Sequence, residues 1–308
     1  MSGHIPVMLP EVCKVLGSLE KIGFVLDATL GFGGYSEAIL FKWPNVAVLG
    51  VDQDPQAIES SKRRLAPFGE RFRAVHGNFR DIGEILERSG MGVPDAILFD
   101  LGVSSVQVDT PERGFSFQEA GPLDMRMDTA DERMGMAADI VNNYGMKDLI
   151  RIFRDYGEER FAAQIARGII KYREKEGPVN NTDTLVGIIR NTLPAPVQRK
   201  MGRNPARKIF QALRIAVNDE LKALEEALEQ CGRFSKDRVT LVVLSYHSLE
   251  DRIVKRKFLE WKGLSLGVLP FRKPLVPGEE ELEENRRSRS AKMRVFHFGL
   301  KDPGGKKR

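Results

Sequence analysis

A chain of 308 residues exceeds the usual size of one domain, so a single large α/β domain or one domain carrying an insertion is expected. Its 42% hydrophobic and 30% charged content excludes wholesale disorder, and a net charge of +5 permits a polyanionic partner without requiring one. Cys13, Cys231 and the histidines His4, His76, His247 and His297 show no metal-ligand spacing, so no metal is expected. Residues Met1 to Glu11 lack the basic and apolar segments of a signal peptide, and no apolar run approaches membrane-spanning length. A cytoplasmic protein without a membrane partner is expected.

In chain order, Phe24–Leu30, Val46–Asp52, Arg71–His76 and Asp95–Asp100 read as buried strands, with helical stretches at Ser36–Lys42, Pro55–Ala66 and Asp81–Arg88 between them. The alternation predicts an α/β fold with a doubly wound, Rossmann-like sheet. The rhythm then breaks until Val239–Tyr246, and the interval carries helical patterns at Lys147–Asp155, Glu158–Glu174 and Thr182–Asn191, punctuated by Gly177-Pro178, Pro194 and Pro196. A sheet domain over 1–130 and 207–308, interrupted by a helical insert over 131–206, is the expected organisation. One long helix from Pro205 is predicted to align Phe210, Leu213, Val217, Leu221, Leu224 and Leu228 and to return the chain to the sheet. The tail Gly304–Arg308 is expected to be flexible.

The first strand runs Val25-Leu26-Asp27-Ala28-Thr29-Leu30-Gly31-Phe32-Gly33-Gly34 directly into a helical stretch. Glycines in that context let backbone groups approach an adenosine-bearing ligand where a Cβ would collide. The second strand ends at Asp52, nineteen positions beyond Gly33, where a carboxylate can accept from ribose hydroxyls. Asp54, just before Pro55, is the better helix cap and leaves Asp52 available. Hydride transfer with a dinucleotide and methyl transfer with S-adenosylmethionine both remain open, although Ser36 in place of a third glycine favours methyl transfer. Phe79 could flank an adenine, with ordinary packing as its competing role. Asp100, at the end of the fourth strand, could face the methionine end or a substrate amine.

Three segments then become specific: Asp100-Leu101-Gly102-Val103-Ser104-Ser105-Val106-Gln107, Arg113-Gly114-Phe115-Ser116-Phe117, and Gly121-Pro122-Leu123-Asp124-Met125-Arg126-Met127-Asp128. With Tyr156-Gly157-Glu158-Glu159-Arg160, Phe210-Gln211-Ala212-Leu213-Arg214-Ile215, Ser245-Tyr246-His247-Ser248-Leu249-Glu250-Asp251-Arg252 and Arg289-Ser290-Ala291-Lys292, the chain resembles the bacterial 16S ribosomal RNA cytosine-N4-methyltransferase family along nearly its whole length. The resemblance implies a class I methyltransferase sheet and an insert that recognises substrate. It implies transfer from S-adenosylmethionine to the exocyclic N4 of a cytidine in the decoding region of 16S rRNA, within the small ribosomal subunit. By position it assigns cofactor contacts to Gly33, Gly34, Tyr35, Asp52, Phe79, Asp100 and Gln107. Tyr35 stands where the family usually has His, and Tyr246 where Phe is more common. Backbone contacts at position 35 should survive, but a phenol titrating near ~10 cannot do the work of an imidazole.

Methyl transfer from a sulfonium is an in-line displacement that needs no metal, so positioning is the main task. Asp100 is the candidate catalytic residue, accepting from the amine N–H groups of the base. The segment after it lacks the Asp-Pro-Pro-Tyr type clamp, so Phe115, Phe117 and Tyr246 are the candidates for stacking on the base. His247 is not needed as a general base, because the methylated amine is cationic and loses its proton readily. Two basic clusters fit an RNA backbone or a merely solvated face: Arg199, Lys200, Arg203, Arg207 and Lys208, then Arg286, Arg287, Arg289, Lys292 and Arg294. A nicotinamide-dependent oxidoreductase and a non-catalytic ribosome-assembly factor are the alternatives of other classes. A homodimer is left open.

Overall fold

The computed structural model describes residues 5–200 and 205–301; His4, Arg203 and the tail Gly304–Arg308 lie outside them. Its sheet has seven strands: β1 (Phe24–Asp27), β2 (Ala47–Asp52), β3 (Phe72–His76), β4 (Ala96–Asp100), β5 (Thr240–Ser245), β6 (Gly267–Val268) and β7 (Lys292–Phe298), in the order β3-β2-β1-β4-β5-β7-β6. The first five pair in parallel, and β7 runs antiparallel to β5 and β6. Every residue of β1 and β5 is buried, as parallel strands covered on both faces require. The direction of winding reverses between β1 and β4, and the crevice at such a switch point opens at the carboxyl ends of the strands.

Helices Gly34–Lys42, Pro55–Leu65 and Ile82–Ser89 fill the crossovers where the periodicity places them. Asp54 caps the second of these by accepting from the Gln56 N–H at 3.0 Å. Strands β6 and β7 were not legible in the sequence. The first is two residues long, and the second begins inside the basic run, where its alternating burial is masked by Lys292 and Arg294.

Among the described residues the chain forms two compact units, one reaching Gly102 and resuming at Leu221, the other spanning Val103–Glu220. The second unit is therefore wider than the 131–206 expected. Phe115, Leu123, Met125 and Met127 share its core with Ile165, Leu185, Phe210 and Leu213. They reach that core from irregular backbone, which carries no periodic signal. Around them pack helices Ala137–Asn143, Met146–Asp155, Ala162–Lys175, Thr182–Thr192 and Arg207–Asn218. The helix expected from Glu158 starts only at Ala162. Glu158 has a left-handed φ of 46°, and the Glu159 N–H turns back onto the Phe153 carbonyl at 3.0 Å.

The single long helix expected from Pro205 is two helices, Arg207–Asn218 and Glu220–Cys231, separated by Asp219 at φ 50° and ψ 37°. Phe210 and Leu213 serve the core of the second unit, whereas Leu224 and Leu228 pack against the sheet of the first. Val217 and Leu221 are only half-buried. The break is fastened by Asn218, whose buried carboxamide accepts from the Met127 N–H at 2.7 Å. It also donates to the carbonyls of Met125 and Arg214 at 2.8 and 2.9 Å. Replacing Asn218 with Ala strands buried backbone groups on the Met125–Met127 segment. It should cost about 2–4 kcal/mol of stability, read as a lower denaturant midpoint at constant slope.

Candidate active site at the carboxyl ends of the sheet

The parallel register of β1 with β2 and β4 brings Asp27, Asp52 and Asp100 to one edge of the sheet. After β1 the chain turns through Gly31 and Gly33, at φ 51° and 78°, left-handed values at which a side chain would be strained. A Cβ on Gly33 would also meet the Leu65 side chain at 2.8 Å. A Cβ on Gly31 would approach nothing closer than the Thr29 carbonyl at 4.0 Å, so that stretch of backbone stays open to a ligand.

Asp52 orders this turn. Its carboxylate accepts from the Gly31 N–H at 2.7 Å and from the Asp54 N–H at 2.9 Å, and loss of solvation raises its pKa to about 6 despite those donors. The ends of β2 and β3 are tied beside it. The Gly77 N–H reaches the Asp52 carbonyl at 2.9 Å, and the Asn78 amide reaches Gln53 at 2.7 Å. Phe79 follows, half-buried and edge-on to Phe99 with centroids 5.8 Å apart.

Tyr35 contributes differently from a surface ligand. Its ring is buried, and its hydroxyl donates to the Val7 carbonyl. What position 35 can offer a cofactor is its backbone at the start of helix Gly34–Lys42. Gln107 lies in the second unit, buried, with its Oε1 accepting from the Ser104 N–H at 2.9 Å in a capping box.

Asp100 closes β4 at the same edge. Its N–H donates to the Thr29 hydroxyl at 2.6 Å, and its Oδ1 accepts from the Tyr246 hydroxyl at 2.5 Å. Loss of solvation raises its pKa to about 7. The Tyr246 hydrogen bond opposes that rise, and the neighbouring charges of Asp27 and Glu250 add to it. Tyr246 is itself held by its N–H, which donates to Glu250 Oε2 at 2.8 Å.

Asp27 was not singled out by the sequence. It is fully buried, one oxygen accepts from Ser36 at 2.7 Å, and Oδ1 has no hydrogen-bond partner among the described residues. Burial raises its pKa to about 6. An acidic residue closing an otherwise apolar strand was the available signal. A buried carboxylate oxygen lacking a donor, beside an open glycine turn, fits a ligand that brings N–H or O–H groups of its own.

The other candidates have structural engagements of their own. Phe115 belongs to the core of the second unit, and Phe117, half-buried, packs against that core, edge-on to Phe210 at 5.6 Å. His247 caps helix Ser248–Gly263, with Nε2 3.1 Å from Glu250 Oε1. Of the basic residues, Lys292 and Arg294 pair with Asp251 at 3.3 and 2.7 Å, and Lys208 donates to the Glu158 carbonyl at 2.8 Å. Arg199, Arg207, Arg286 and Arg289 are exposed.

A family model described as the MraW methylase family matches residues 1–298. The chain belongs to the MraW methylase family. The protein named Ribosomal RNA small subunit methyltransferase H in Carboxydothermus hydrogenoformans is 47% identical over 307 residues, covering 95% of this chain and 96% of its own length. Proteins of the same name in Thermobifida fusca and Nocardioides sp. are 46% and 44% identical, over 95% and 96% of this chain and 92% and 97% of theirs. Among the described residues no cluster of metal-binding side chains occurs, and no helix is long and apolar enough to cross a membrane.

For an MraW methylase built this way, Tyr246→Phe removes the hydroxyl that donates to Asp100 and favours the protonated acid. The acidic limb of the methyl-transfer pH profile should move to higher pH, and an unmoved limb would separate Asp100 from the reaction. Stability carries the opposite sign. A carboxyl raised to about 7 contributes stability that is fully present below the ordinary carboxylate range and lost as pH rises through 7. Asp100→Asn should therefore raise the Tm by a few degrees at pH 8, roughly 2–4 °C per kcal/mol, and by little at pH 5. Equal gains at both pH values would contradict the shift.

Proposed function

We propose that this methyltransferase transfers a methyl group from S-adenosylmethionine to the exocyclic N4 of a cytidine in the decoding region of 16S rRNA, with the small ribosomal subunit as its substrate. The observation that carries this reading is the full-length identity to proteins named Ribosomal RNA small subunit methyltransferase H. S-adenosylmethionine, when bound, supplies a methyl group activated by its sulfonium.

The residues assigned to hold it are the backbone at Gly33, Gly34 and Tyr35, the Asp52 carboxylate, Phe79, Asp100 and Gln107. The open face of Gly31 and the donor-seeking oxygen of Asp27 support that assignment. The lone pair of a cytosine amine is delocalised into the ring, so the chain must localise it as well as place it. Asp100 Oδ2, with Oδ1 fixed by Tyr246, can accept one amine N–H and hold the nitrogen in a single orientation. It does so as the ionised form, which predominates above about pH 7. The proton released after transfer passes to water, and His247 remains a helix cap. Reaching a base in this way requires that the nucleotide leave its stack. The helical unit takes the part of the substrate-recognition domain, and the reaction belongs to ribosomal RNA processing in the cytoplasm.

The test incubates the protein with labelled donor and under-methylated small subunits, then maps the modified nucleotide by mass spectrometry. Label at one cytidine N4 is expected, and Asp100→Ala should abolish it. Label on another atom, or transfer by the Asp100→Ala variant at a near-normal rate, would overturn the assignment.

A further inference from the structure

Within the second unit, helix Ala162–Lys175 buries Ile165, Ala166 and Ile169, and turns Gln164, Arg167 and Lys171 outward at spacings of three and four residues. Helix Thr182–Thr192 packs beside it so closely that a Cβ on Gly168 would lie 2.1 Å from the Thr192 hydroxyl oxygen. Between them runs a groove of about 700 Å³, whose lining includes those three residues, Gly187, Ile188 and Asn191, and the Lys175–Glu176 ion pair.

Two features of this groove have no structural purpose within the unit. Gly187 sits inside a helix, where glycine is unfavourable relative to alanine, yet a Cβ there would meet nothing within 4 Å. Gly168 has a packing reason; Gly187 has the effect of leaving the groove open. Arg167 and Lys171 are exposed, and neither has a hydrogen-bond or ion-pair partner among the described residues. The groove's other cation is engaged, since Lys175 pairs with Glu176 at 2.8 Å, and nearby Arg173 donates to the carbonyls of Val141 and Tyr144 at 2.7 and 2.8 Å.

We propose that this groove binds the backbone of single-stranded RNA, with Arg167 and Lys171 each meeting a phosphate and Gly187 leaving room for the ribose or base between them. Four residues of helix separate the two cations by a rise of about 6 Å, so they can meet successive phosphates of one strand. Gln164 and Asn191 flank the cations with neutral groups able to hydrogen-bond ribose hydroxyls, which a bare electrostatic patch would not provide. The inference deepens the proposed action on ribosomal RNA and rests on it for the identity of the polyanion.

The test measures binding of the full-length protein to a single-stranded RNA of decoding-region sequence by fluorescence anisotropy over a salt series. The R167E/K171E variant should bind at least about 10-fold more weakly at low salt. It should also lower the slope of log affinity against log salt by about 1.4, or roughly 0.7 for each phosphate no longer neutralised. Gly187→Phe should weaken binding by filling the groove, whereas Gly187→Ala should not. Donor binding and circular dichroism monitor the fold, and R167Q/K171Q replaces the reversal should that variant misfold. Unchanged affinity and slope in a folded variant would overturn the proposal. So would an equal loss from K62E/R63E, which changes the net charge by the same amount outside the groove. Groove-dependent RNA binding without methyl transfer by the wild-type protein would remove the proposed reaction and leave the groove. Methyl transfer with no effect of the groove variants would do the reverse.

Discussion

Strands β1 and β5, buried at every residue, and β4, buried up to its last, leave no place along their length for an unsatisfied polar side chain. Chemistry is therefore confined to the strand ends. The register that pairs Val25 with Ala96 and Phe24 with Ala47 fixes which residues emerge there, and it delivers three aspartates to the same edge. A slip of one residue would turn every strand side chain to the opposite face, so the apolar packing of the sheet and the composition of the site are a single constraint.

Crowding carboxylates at one edge has a cost that the structure meets with local donors. Asp52 takes two backbone N–H groups, Asp27 takes the Ser36 hydroxyl, and Asp100 takes the Tyr246 hydroxyl. None of these cancels the loss of solvation, and all three acids remain raised to about 6 or 7. Sites of chemistry commonly trade folding stability for groups poised near neutrality, and the unmet oxygen of Asp27 is the plainest instance here.

The second unit shows a different use of conspicuous residues. Arg113 is buried, and its guanidinium donates to the carbonyls of Arg126 and Met127 at 2.9 and 3.0 Å. Asp124 pairs with Arg126 at 2.8 Å, and Asn218 fastens the same stretch from the other side. Segments that carry the family resemblance thus hold an irregular backbone in place and supply Met125 and Met127 to a helical core.

The sequence by itself determined the crossover elements of the sheet, the glycine turn, Asp52 and Asp100 as edge acids, and Asp54 rather than Asp52 as the helix cap. These follow from local rules: a buried strand reads as an apolar run, and a cap sits one residue before Pro55. Tertiary structure alone decided the rest. It broke the long stripe at Asp219 because its two halves bury against different cores, and a pattern of threes and fours does not name the surface it packs on. It drew Phe115 and Phe117 into packing, committed Lys292 and Arg294 to Asp251, and joined Tyr246 to Asp100 across 146 residues of chain. A partner chosen at that separation depends on the register of neighbouring strands, and no local spacing encodes it.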